Sequence, residues 1–128
     1  MRCLVLAIGT IGLLLVSAGF AARGALTLAG VKSAGSAMAF LDMCEVAGYA
    51  PDGITARYQA AAQKGLNRSH WEAVERQYQE SLREQMMYLV SKDQWLPFDV
   101  EPVACEQISK VSETLIKNYE ELAKLDDE

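Results

Sequence analysis

Three cysteines, one histidine and a scatter of carboxylates are the residues of this chain with the types to do chemistry, and their spacing is what decides whether they do. Cys44 and Cys105 stand 61 positions apart, so they form neither a Cys-x-x-Cys redox pair nor a Cys-x-x-Cys-His haem attachment. His70 is the only imidazole, which rules out a histidine-rich metal site, and Glu72 and Glu75 beside it do not complete a known ligand spacing. Ser69 next to His70 reads as a helix cap. A serine hydrolase would also need an exposed nucleophile turn and an oxyanion site, and no Gly-x-Ser-x-Gly occurs. The carboxylates alternate with Lys and Arg along two helical stretches, whereas paired acid and base work needs two of them facing across a cleft. The residues therefore predict no catalytic activity, no metal and no cofactor.

Composition narrows the classes further. With 128 residues the chain has room for one domain, and a formal net charge of -5 repels phosphate backbones, so nucleic acid is not an expected partner. Hydrophobic residues make up 51% and charged residues 23%, which is the balance of a chain that folds. The N-terminus opens with Arg2, runs apolar from Cys3 to Val16, and turns small at Ser17 to Ala22, the order of a secretory signal. Gly19 and Ala21 suit a signal peptidase, giving a signal peptide over residues 1–21. The competing reading is an uncleaved anchor over Leu4 to Ala22, which at about 1.5 Å per residue reaches roughly 28 Å and can span a hydrocarbon core. Both readings export the remainder, to the periplasm if the source is bacterial, with the membrane as a partner only for the uncleaved form.

Export gives the two remaining cysteines a role. They have one possible intramolecular pairing in a compartment that permits oxidation, so a Cys44–Cys105 disulfide is expected. In the chain-entropy account a loop of this length would destabilise the unfolded state by roughly 4 kcal/mol as an upper bound.

The elements that must hold these residues follow from the hydrophobic periods. Residues 22–35 carry no clear period and read as a flexible segment, with the helical domain over 36–128. Ala37, Phe40, Leu41 and Cys44 recur at helical spacing up to a stop at Gly48, and a turn at Pro51, Asp52 and Gly53 leads into a short second helix over Ile54 to Gly65. Ser69 and Glu72 form a capping box ahead of a third helix, whose stripe is Trp71, Val74, Tyr78, Leu82, Met86 and Leu89. Pro97 and Pro102 break the chain, and Pro102 can open a fourth helix with Ile108, Val111, Leu115, Tyr119, Leu122 and Leu125 on its stripe. No alternating strand pattern of useful length is visible. The expected fold is all-α, a small four-helix bundle in which the disulfide ties the first helix to the last.

Two segments are left as candidate partner surfaces. Trp95, Leu96 and Phe98 lie in the Pro-bounded connection between the long helices, where large apolar groups either plug the bundle end or form an exposed patch. Tyr49, Asp52, Arg57 and Tyr58 surround the turn before the second helix, where they either serve the turn or offer directed contacts. The general profile of a leader, a compact acidic helical domain and one disulfide resembles small periplasmic proteins that neutralise toxins or buffer unfolded clients. The expected function is an exported protein-binding module of the cell envelope, an inhibitor, immunity or client-binding protein. The alternative is a membrane-tethered structural or assembly factor using residues 4–22.

Overall fold

A computed structural model describes residues 27–126, and the leader and anchor readings lie outside them. Four helices account for most of the described chain: α1 (Leu28–Val46), α2 (Ile54–Gly65), α3 (Arg68–Glu84) and α4 (Pro102–Asp126). Between α3 and α4 stands a two-stranded antiparallel hairpin, β1 (Met86–Leu89) and β2 (Gln94–Pro97), joined through a 3-10 turn at Val90–Lys92.

The helix α1 begins eight residues before the expected start at Ser36, so Leu28 to Gly35 is helix rather than flexible segment. Thr27 caps it, its hydroxyl accepting the Gly30 N–H at 3.0 Å. The reason no period marked this stretch is where α1 sits. Ser33 through Leu41 is buried without a break, because α3 and the hairpin cover one side of α1 while α2 and α4 cover the other. A helix enclosed all round needs no amphipathic stripe. It needs small residues where its neighbours come closest, and Gly35 is such a point: a Cβ there would lie 2.5 Å from Gln77 Cβ and 2.7 Å from the Val74 carbonyl oxygen of α3.

The remaining helices alternate in direction around this centre. The α2 helix runs back along α1, with Glu45 at its start and the Tyr58 hydroxyl donating to the Ala34 carbonyl at 3.4 Å further down. The cap of α2 comes from α1, because Gly53 at the cap position has no side chain to offer. The Glu45 carboxylate accepts the N–H groups of Gly53 at 2.9 Å and Thr55 at 3.0 Å, and these bonds hold its pKa below the ordinary carboxylate value. The α3 helix returns beside α1, and its Tyr78 hydroxyl donates to Asp42 at 2.6 Å. Its cap is Asn67 rather than Ser69: Asn67 Oδ1 accepts the His70 N–H at 2.9 Å and the Ser69 hydroxyl at 3.0 Å. Asparagine two residues ahead of the expected box competes for the same orphan donors and starts the helix earlier. The α4 helix descends next to α2, so close that a Cβ on Gly65 would meet the Tyr119 carbonyl oxygen at 2.5 Å.

The disulfide is present between Cys44 and Cys105, whose Cα atoms are 5.5 Å apart and whose side chains are fully buried. It joins the end of α1 to the first turn of α4, as the spacing predicts, and Pro102 is the first residue of that helix.

The fold departs from all-α at the hairpin. The α3 helix does not carry its stripe through Met86 and Leu89. It stops at Glu84, because Gln85 takes a left-handed conformation (φ 57°) whose N–H bonds back to Ser81 O at 2.6 Å, and the chain continues as β1. The strand shows no alternation in sequence because both of its faces are covered. Met87 and Leu89 pack on the core, and Tyr88 on the other face is buried beneath Trp95, with their ring centroids 5.1 Å apart.

Candidate functional site

The hairpin is held to α1 by specific contacts. Tyr88 N–H donates to the buried Ser36 hydroxyl at 3.0 Å, and Phe98 at the far end of β2 packs its ring 5.3 Å from Phe40. Lys32, one turn earlier on α1 than Ser36, places its ammonium 5.4 Å from the centre of the Tyr88 ring, a cation–π distance. The Tyr88 hydroxyl bonds the Asp93 carboxylate, which fixes the left-handed residue closing the hairpin turn and, with burial, raises the phenol's pKa. These contacts leave β2 on the outside. Trp95 and Leu96 are 37% and 39% exposed on a segment whose backing strand cannot move without breaking them.

The predicted residues therefore separate. Trp95 and Leu96 are both exposed but on opposite faces of the hairpin, Trp95 over Tyr88 and Leu96 across from Met87, whereas Phe98 is half-buried and belongs to the wall against Phe40. Tyr49 is exposed beyond the end of α1, where it borders a depression of about 420 Å3 with Pro51, Pro102 and Glu106. Asp52 is exposed on the turn. Arg57 is exposed but tied down, its guanidinium donating to both oxygens of Glu113 on α4 at 2.8 and 3.0 Å, a pair that raises the arginine's pKa and lowers that of the carboxylate. Tyr58 is not a surface residue at all. It is 0% exposed, sits edge-on to Tyr119 with ring centroids 5.8 Å apart, and burial drives its phenol pKa well up. Its four-residue step from Ile54 put it on the core stripe of α2, and that period outweighs its nearness to the turn.

Sequence reasoning missed four residues in or beneath these surfaces. Lys32 and Tyr88 complete the hairpin cluster, the first because its helix had not been seen and the second because it fell within a stretch read as α3. Val46 and Val103, 80% and 53% exposed, flank the bridge two residues from Cys44 and Cys105. Stepping two positions off a buried helical residue turns the side chain to the opposite face, so both were findable from the cysteines.

Among the described residues Ser69 and His70 are not arranged as a nucleophile and its base. The Ser69 hydroxyl donates to Asn67 rather than to an imidazole, and the His70 Nδ1 lies 2.6 Å from that same amide oxygen. Among the described residues no group of three or more His, Cys, Asp or Glu side chains is placed to hold a metal ion, and no helix is long and apolar enough to cross a membrane. No protein-family model, curated protein or solved structure matches the chain, so its functional reading rests on its own geometry.

Proposed function

We propose that this protein is an exported, non-enzymatic module that binds a protein partner through the outer strand of its hairpin. One observation carries the reading: Trp95 and Leu96 are presented on a short strand that is pinned from behind by Ser36, Lys32 and Phe40, so the exposed apolar groups arrive ordered. An ordered aromatic anchor loses little conformational entropy on binding, and tryptophan is the residue type most enriched among binding hot spots. The Cys44–Cys105 bridge is compatible with an oxidising compartment outside the cytoplasm, and the acidic chain suits a partner that is not a nucleic acid. Within this class an inhibitor, immunity or client-binding role in the cell envelope fits the same surface.

The test is recovery of partners from native envelope fractions with wild type and a Trp95→Ala, Leu96→Ala variant, keeping Phe98 because it packs on the core. The variant is expected to lose at least tenfold in recovery while its melting temperature stays within a few degrees of wild type. Equal recovery by both would take the hairpin out of the proposal.

A further inference from the structure

The hydrogen-bond phase of the hairpin divides its two edges. Phe98 N–H donates to Gln85 O at 2.9 Å, which makes residues 85 and 98 a bonded pair and, stepping by two along the register, makes Met87 with Leu96 and Leu89 with Gln94 bonded pairs as well. The backbone groups of Met86 and Tyr88 on β1, and of Trp95 and Pro97 on β2, then point away from the ladder. On the β1 side the outward Tyr88 N–H is taken by Ser36 Oγ of α1. On the β2 side all four residues are exposed. The N–H and C=O of Trp95 and the C=O of Pro97 face solvent, and the proline stands where its missing donor would also have pointed outward.

We infer that the outer edge of β2 is an acceptor for an extended, basic segment of a protein partner, which adds there as a third antiparallel strand. This deepens the proposed function and rests on it. An open edge is a standing template for strand addition, and main-chain bonds supply affinity while neighbouring side chains supply choice. The incoming strand exchanges two bonds with Trp95 and donates a third to the Pro97 carbonyl, while the Trp95 ring, fixed on Tyr88, covers its side chain. Exposed Asp93 and Asp99 bracket β2; Asp93 is bonded to the Tyr88 hydroxyl and offset by exposed Lys92, which leaves Asp99 and the chain's net charge of -5 to favour a cationic segment and to repel a second copy of this chain.

The experiment follows amide exchange at Trp95 by nuclear magnetic resonance in the isotopically labelled, oxidised full chain. Three synthetic peptides are added in turn: alternating Lys-Val, alternating Glu-Val, and Lys-Val with every second backbone nitrogen methylated. The basic peptide is expected to slow exchange of the Trp95 amide at least tenfold, with Leu96, already bonded to Met87, changing far less. The acidic and methylated peptides are expected to leave it at the free rate. Equal protection by the methylated peptide overturns strand addition. So does an indole resonance that shifts while the amide keeps exchanging freely, a result that leaves the hairpin as a side-chain surface and the proposed function intact. Silence of both resonances toward all three peptides also overturns strand addition, and the envelope recovery experiment then decides the parent reading independently.

Discussion

Glu45 shows how much a single side chain can settle. It sits on α1, yet its two bonds to the Gly53 and Thr55 N–H groups are the cap of α2, so one carboxylate fixes the angle at which the second helix leaves the turn. Those bonds favour the charged form and lower its folded pKa, so its contribution to stability is complete above the unfolded carboxylate pKa and is lost as the pH falls through the depressed folded value. The Glu45→Gln variant is therefore expected to lose about 1 kcal/mol at neutral pH, the usual worth of a cap. Its urea midpoint should also fall less steeply than that of wild type as the pH drops below about 4.5, the ordinary value of this carboxyl. An unchanged acid limb would show that the cap does not couple to folding. Arg57 makes the converse point. Its charge looks available in sequence, but the two-pronged bond to Glu113 commits it to joining α2 and α4.

Among the elements, the hairpin is held by one buried hydroxyl as much as by its apolar face. Ser36 Oγ is the partner of the Tyr88 N–H, so Ser36→Ala leaves a buried donor unsatisfied and is expected to destabilise the protein by about 1–3 kcal/mol. Protection of the Tyr88 amide from exchange should fall at the same time, whereas Trp95→Ala should cost much less because its ring is partly in water. Loss of stability with full retention of Tyr88 protection would place the cost elsewhere. Elements were legible in the sequence in proportion to how unequal their two sides are. The fourth helix declared itself through a stripe that is buried at Ile108, Leu115 and Tyr119 and fades at Leu125, and the second through Ile54, Tyr58 and Ala61. The first half of α1 and the strand β1 did not, since each is covered on both sides and an even environment leaves no period to read. Met86 and Leu89 also happen to continue the helical spacing of α3, and only the left-handed Gln85 breaks it. The surface was half legible for the same reason: Trp95 and Leu96 follow from composition and the flanking prolines, whereas Lys32 and Tyr88 depend on knowing which strand lies against which helix.

At the scale of the whole molecule, the bridge joins the top of α1 to the top of α4 across the one end where the chain enters the hairpin and leaves it. Reduction is expected to lower stability by about 2–4 kcal/mol, measured as the shift in urea midpoint with and without reductant. The bridge leaves no free thiol at either position, so alkylation of the unfolded, unreduced chain should label neither Cys44 nor Cys105, and labelling of both without reductant would refute the bridge in the purified protein. Val46 and Val103, each two residues from a bridging cysteine and turned to the other face of its helix, are exposed on either side of that clasp.

The enclosed position of α1 bears on how the chain comes into being. Synthesis delivers this inner rod before its wrapping, so its enclosed stretch from Ser33 to Leu41 waits for each later element to shelter one more side. A copy cut short before Pro102 would leave the side of that rod that α4 covers bare, with its apolar residues open to holdases.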